Sequence, residues 1–269
     1  MNFRTVALAV ALTLGATSPA FAHKTWLQPS QTVFSETGAW MTVDAAVSND
    51  LFYFNHVPLP LERVQVTAPD GSTVAPQNGA TGKLRTVFDL ELLQEGTYKI
   101  AMSNHGMFAS YKQGGENKRW RGSPDEFKAA IPADATDVNA NESLSRIETF
   151  VTVGAPDTAV FKTSGRGLEM VPVTHPNDLY AGEEATFRFL IDGQPAAGLD
   201  VEIVPGATRY RDHQDEIKLK TGADGAITVT WPAAGMYWLE TSQSDDKTSL
   251  PEAGQRRTGY VATFEVLPL

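Results

Sequence analysis

Short extended segments, each closed by a cluster of turn formers, recur through most of this sequence, a pattern of antiparallel sheets rather than of alternating strands and helices. Ala39 to Val47 is the first. Arg63 to Thr67 leads into Ala68-Pro69-Asp70-Gly71, where Pro presets one turn dihedral and Gly supplies a positive one, and the chain returns through Ser72 to Val74. Further strands are expected at Leu84 to Leu92, Thr97 to Ser103 and Ile147 to Val153. One short helix interrupts them: Ser123 is placed as N-cap, Pro124 opens the first turn and Glu126 stands where a capping box needs it, with the end near Ile131.

After Val153 the segment from Gly154 to Gly167 lacks apolar periodicity and is rich in turn formers. Beyond it, strands are expected at Leu168 to Val173, Ala185 to Ile191, Leu199 to Val204, Glu216 to Lys220, Ala226 to Trp231, Gly235 to Thr241 and Tyr260 to Val266, with Asp192-Gly193 as a hairpin turn. Ser244 to Gln255 and the basic run Lys118-Arg119-Trp120-Arg121 read as surface loops. The fold class is therefore all-β: two immunoglobulin- or transthyretin-like antiparallel β-sandwich domains, over residues 23–153 and 168–269, joined by a linker over 154–167, with one short helix in the first.

The first 22 residues have the layout of a cleavable secretory signal: Arg4 near the amino terminus, an apolar stretch from Thr5 to Gly15, and small residues at Ala20 and Ala22. The apolar stretch is well short of the roughly 20 residues that span a bilayer, so cleavage after Ala22 is expected, with a soluble mature chain in the periplasm. With no cysteine anywhere, disulfides and thiolate metal sites are excluded. Losing Arg4 leaves 21 Lys and Arg against 32 Asp and Glu, a balance of −11, which disfavours nucleic acid and anionic membrane surfaces as partners. A monomer is expected, because the sequence identifies no exposed apolar surface.

Several stretches are similar to those of a known family: Ala22-His23-Lys24-Thr25-Trp26-Leu27-Gln28-Pro29-Ser30, Leu168-Glu169-Met170-Val171-Pro172-Val173-Thr174-His175-Pro176, and Thr221-Gly222-Ala223-Asp224-Gly225 followed by Gly235-Met236-Tyr237-Trp238-Leu239-Glu240. Together, across the mature chain, they resemble the bacterial envelope proteins of the domain of unknown function 4198 group, long filed under nickel-uptake components. The resemblance implies a periplasmic β-sandwich protein associated with transition-metal uptake, whose partners would be membrane metal-uptake components.

The residues themselves point to metal through His23. Cleavage after Ala22 would make it the amino-terminal residue, offering an α-amine and an imidazole nitrogen to one ion. Such nitrogen donors favour copper, nickel, zinc or iron over calcium and magnesium, and a second histidine would complete a histidine brace. No two histidines are close enough in sequence to chelate locally, so the second donor must come from His56, His105, His175 or His213. Strand alternation puts His105 on one face with Met107, an imidazole and a thioether that suit cuprous copper. His56 ends Leu51-Phe52-Tyr53-Phe54-Asn55-His56, where an extended chain aligns it with Phe52 and Phe54, either as a packed side chain or beside an aromatic wall. His175 precedes Pro176 in a turn, and His213 lies in a charged, solvated run. The candidate metal set is His23, His56, His105, Met107 and His175, with no catalytic residue assigned.

Three functions fit these residues. A metal-binding accessory protein that captures or delivers an ion is the first. A copper-dependent oxygenase with a histidine brace is the second, and requires an open coordination position. A non-metal interaction or carbohydrate-binding sandwich is the third, since a fold does not fix a function. No nucleophile elbow, phosphate-cradling glycine loop or His-Glu-x-x-His motif is present.

Overall fold

A computed structural model describes residues 23–269 of the chain. The expected signal segment and its cleavage site therefore lie outside the described residues. The first half contains strands β1 (Lys24–Pro29), β2 (Val33–Phe34), β3 (Ala39–Ser48), β4 (Val57–Pro58), β5 (Val64–Thr67) and β6 (Thr73–Val74). It continues with β7 (Gln77–Thr81), β8 (Thr86–Leu92), β9 (Gly96–Gln113), β10 (Glu116–Gly122), helix α1 (Pro124–Ala130) and β11 (Thr136–Val153). The second half contains β12 (Leu168–Pro172), β13 (Glu184–Ile191), β14 (Gln194–Pro195) and β15 (Asp200–Pro205). After these come β16 (Ile217–Lys220), β17 (Ala226–Thr230), β18 (Gly235–Asp245) and β19 (Ala253–Val266). Among the described residues no helix is long and apolar enough to cross a membrane.

The chain is all-β, as its strand and turn pattern requires, but the two halves are not separate sandwiches. They share a central ten-stranded sheet ordered β16-β15-β18-β19-β11-β9-β5-β6, with β10 added on β9 and β2 on β11, in which β11 of the first half pairs in parallel with β19 of the second from Ala140 to Thr149. Sheet β1-β3-β8-β7 and sheet β12-β13-β14, with β17 on β13, bury its two faces. Period-two alternation explains how one strand serves both cores. In β19, Tyr260, Ala262, Phe264 and Val266 enter the second core, while Val261 enters the first. Likewise β11 sends Ile147, Val151 and Val153 to the first core and Phe150 to the second, and β18 gives Trp238 to the first and Tyr237 and Leu239 to the second. A central sheet with both faces covered carries apolar residues on both sides of its strands, which is why Tyr260–Phe264 reads as an almost continuous apolar run.

Local turn chemistry follows the sequence closely. The Ala68–Gly71 turn closes the β5/β6 hairpin, and Asp192 and Gly193, at φ of 52° and 76°, close β13/β14 with the doubly left-handed turn that matches sheet twist. Helix α1 begins as expected, with the Ser123 N–H donating to the Glu126 carboxylate at 2.9 Å. The strands on either side of Asp224-Gly225, however, belong to different sheets: β16 pairs with β15, and β17 with β13.

Three corrections concern the polar ends of long strands. Lys118–Arg121 is not a loop but the middle of β10, which forms a hairpin with β9 through Gly114 and Gly115 at φ of 57° and 83°. Strand β11 starts at Thr136, well before Ile147, and the two ends of Ser244–Gln255 are strand, since β18 runs to Asp245 and β19 starts at Ala253, while Asp246 to Glu252 form the expected loop. These extensions are polar, so their alternation carries no apolar signal. They hold a small satellite core of Met107, Ala109, Phe127, Ala140 and Ala253.

Candidate metal centre

Strands β1 and β4 flank the end of β3. Lys24 pairs with Ser48 on one side, and Val57 with Val47 on the other, so His23 and His56, one residue further along each strand, reach the same end of β3. The loop between β3 and β4 is cross-linked by the Asn55 side chain. Asn55 accepts the Asn49 N–H at 2.9 Å and donates to Asp50 at 2.8 Å. Phe52 adopts a left-handed φ of 62°, so the stretch is a turn and not the extended chain the aromatic alternation suggested. Phe52 and Phe54 pack on the buried Trp26 ring at 5.5 and 5.7 Å, which leaves His56 exposed.

The outcome is a histidine pair. The His23 and His56 rings lie face to face, centroids 3.9 Å apart and planes 4° from parallel. Lone pairs of imidazole nitrogens lie in the ring plane, so parallel rings present them side by side, and rotation of one ring about its Cβ–Cγ bond is needed to converge both on one ion. Both side chains are solvent-exposed, with room for that rotation. Lys24, next to His23, donates to Gln214 at 2.5 Å and so ties the segment bearing His213 to the same strand. Among the described residues no group of three or more His, Asp or Glu side chains forms a ready metal site. Any third donor at His23 is thus a backbone group, such as an amine freed by cleavage, or a side chain that moves.

The other candidates are placed elsewhere, each for a physical reason. Met107 is fully buried in the satellite core, so its thioether packs and does not ligate. His175 has both ring nitrogens occupied: Nδ1 accepts the Asn177 N–H at 3.1 Å, and Nε2 meets the Thr97 hydroxyl at 2.9 Å and the Asp157 carbonyl at 3.1 Å. Burial lowers its pKa below 6.5, against the opposing pull of Asp157 and Asp178. His105 bonds through Nε2 to the buried Glu142 at 2.6 Å and receives an Arg166 N–H on Nδ1 at 2.9 Å. None of these three joins the His23 pair. Glu142 and Arg166 were missed by sequence reasoning, because nothing local connects them to His105.

No curated protein matches the sequence. Among solved structures, similarity is found to the human OSCAR ligand-binding domain, with 13% identity, 91% of this chain and 99% of that chain covered, and a TM-score of 0.22. The D0-D1 domain of Intimin is similar at 11% identity, with 88% and 96% coverage and a TM-score of 0.21. Residues 20–245 match the family described as Domain of unknown function (DUF4198), and the chain belongs to that family.

Proposed function

We propose that this protein is a transition-metal-binding accessory protein of the bacterial periplasm, which captures or delivers an ion such as copper, nickel or iron during uptake. The observation that carries this reading is the meeting of His23 with His56 at 3.9 Å. Two imidazoles with no carboxylate among them form a donor set suited to late transition metals and unsuited to calcium or magnesium. His23 and His56 would hold the ion, with the His23 α-amine as a further donor if the chain is cut after Ala22. An exposed site on a preformed loop favours exchange of an ion with a membrane partner over permanent retention.

The test is metal analysis and affinity titration of protein exported and processed in cells, compared with a form carrying one extra residue before His23. The extension keeps the imidazole and displaces the amine. A loss of at least roughly tenfold in affinity is expected. Equal affinities, or a mature chain that mass spectrometry finds to begin elsewhere, overturn the role of the amine.

A further inference from the structure

A second arrangement of chemistry-bearing residues lies around His105. Strand pairing sets His105 opposite Leu144, and the residue two positions before Leu144, Glu142, is buried. Burial alone would raise the Glu142 pKa, but hydrogen bonds from the Ser249 hydroxyl and backbone N–H and from His105 outweigh it and hold the carboxyl below its usual value. An ionised Glu142 can only accept, so His105 donates through Nε2. Its Nδ1 lone pair then faces a cleft of about 220 Å³ lined by His105, Leu144, Ser145, Arg146, Arg166 and Leu168, where Arg166 donates to it at 2.9 Å.

The charge of this cleft is set by which arginines are neutralised. Arg146 is paired with Glu148 at 3.5 Å and Glu169 at 3.2 Å. Arg166 makes no ion pair among the described residues, and neither does Arg63, which donates to Asn104 at the cleft edge at 2.8 Å. Arg166 therefore meets no carboxylate directly, is linked to Glu142 only through the His105 ring, and keeps most of its five N–H donors unused. A metal cation at Nδ1 would meet the guanidinium charge, which removes His105 from the metal sites. An anion is attracted. Leu144 and Leu168 make part of the wall apolar, and a single open guanidinium, whose fork fits carboxylate and phosphate alike, balances the one charge of a carboxylate but only part of the charge of a phosphate. The volume is below the roughly 300–1,000 Å³ of sites for drug-sized ligands, so the ligand is small.

We propose that the cleft beside His105 is a binding site for a small monocarboxylate with an apolar body, its carboxylate held by Arg166 and its body against Leu144 and Leu168. The site shares no residue with the His23 pair and stands independently of the metal reading.

Butyrate is the probe, titrated into the processed protein while the imidazole resonances of His105 are followed by NMR. Saturable one-to-one perturbation is expected, with no effect of butylamine, a cation of similar size. Arg166→Gln should weaken butyrate binding about tenfold or more, through loss of a charge-assisted bond, and Arg166→Lys should restore part of it. Arg166 is exposed, so thermal unfolding should be the same in both variants. Absence of saturation, equal binding by Arg166→Gln, or tighter binding of inorganic phosphate than of butyrate each overturns the proposal.

Discussion

The indole of Trp26 donates its N–H to the Ser48 hydroxyl at 2.8 Å, and this bond fastens β1 to the end of β3, from which the loop carrying His56 departs. Ser48 in turn donates to the Asp50 carbonyl at 2.6 Å. Both histidines of the pair thus depend on one buried ring. Trp26→Ala should destabilise the protein by about 3–5 kcal/mol through cavity formation. Trp26→Phe, which loses the bond but keeps most of the packing, should cost distinctly less. Urea unfolding midpoints of the two variants check the order.

His56→Ala should lower transition-metal affinity by at least the roughly 10–100-fold that loss of a supporting group around a metal costs. His175→Gln should leave it unchanged, since that ring is committed to Thr97, Asp157 and Asn177. Titration of both variants with the same ion separates the exposed pair from the buried histidine. Equal affinity in wild type and His56→Ala would remove His56 from the site.

Stability should depend on pH through His175. Burial depresses its folded pKa below 6.5, so in falling pH the unfolded chain takes up the proton first. The stabilisation is complete above the unfolded pKa and is lost as pH drops below it toward the folded value. Between about pH 7.5 and 5.5 the wild type should lose stability, and His175→Gln should show a shallower slope over that window. Denaturant midpoints at several pH values measure both slopes.

Arg256 is buried between Asp192 and Asp245, at 2.8 and 2.7 Å, and joins the β13/β14 turn to the β18/β19 ribbon. Both carboxylates are held below their usual pKa, mainly by this guanidinium opposing burial, and the Arg256 pKa is raised. Arg256→Ala leaves two unpaired acids. The cost should be about 2–3 kcal/mol, under the full value for a buried pair because Asp192 is one-third exposed and can regain water. Thermal unfolding of the variant near neutral pH tests this.

Turns and core strands were legible in the sequence because they rest on short-range chemistry. Asp192-Gly193 needs two left-handed residues, Pro69 and Gly71 preset a turn, and β3 alternates between its two faces. The polar strand ends were not legible: β10 and the start of β11 alternate between solvent and a core of few residues, so burial leaves no periodic mark.

By itself the sequence determined that the chain is all-β, where most strands lie, and that any metal site does without thiolate ligands, in the absence of cysteine. Only the tertiary structure decided that both halves share one sheet and that His56, not His105 or His175, meets His23. Strand formation is dictated by neighbours along the chain, whereas pairing and ring contact are fixed by packing between residues far apart in it. The parallel register of β11 on β19 and the position of β4 beside β3 are set by how the apolar faces of three sheets fit together.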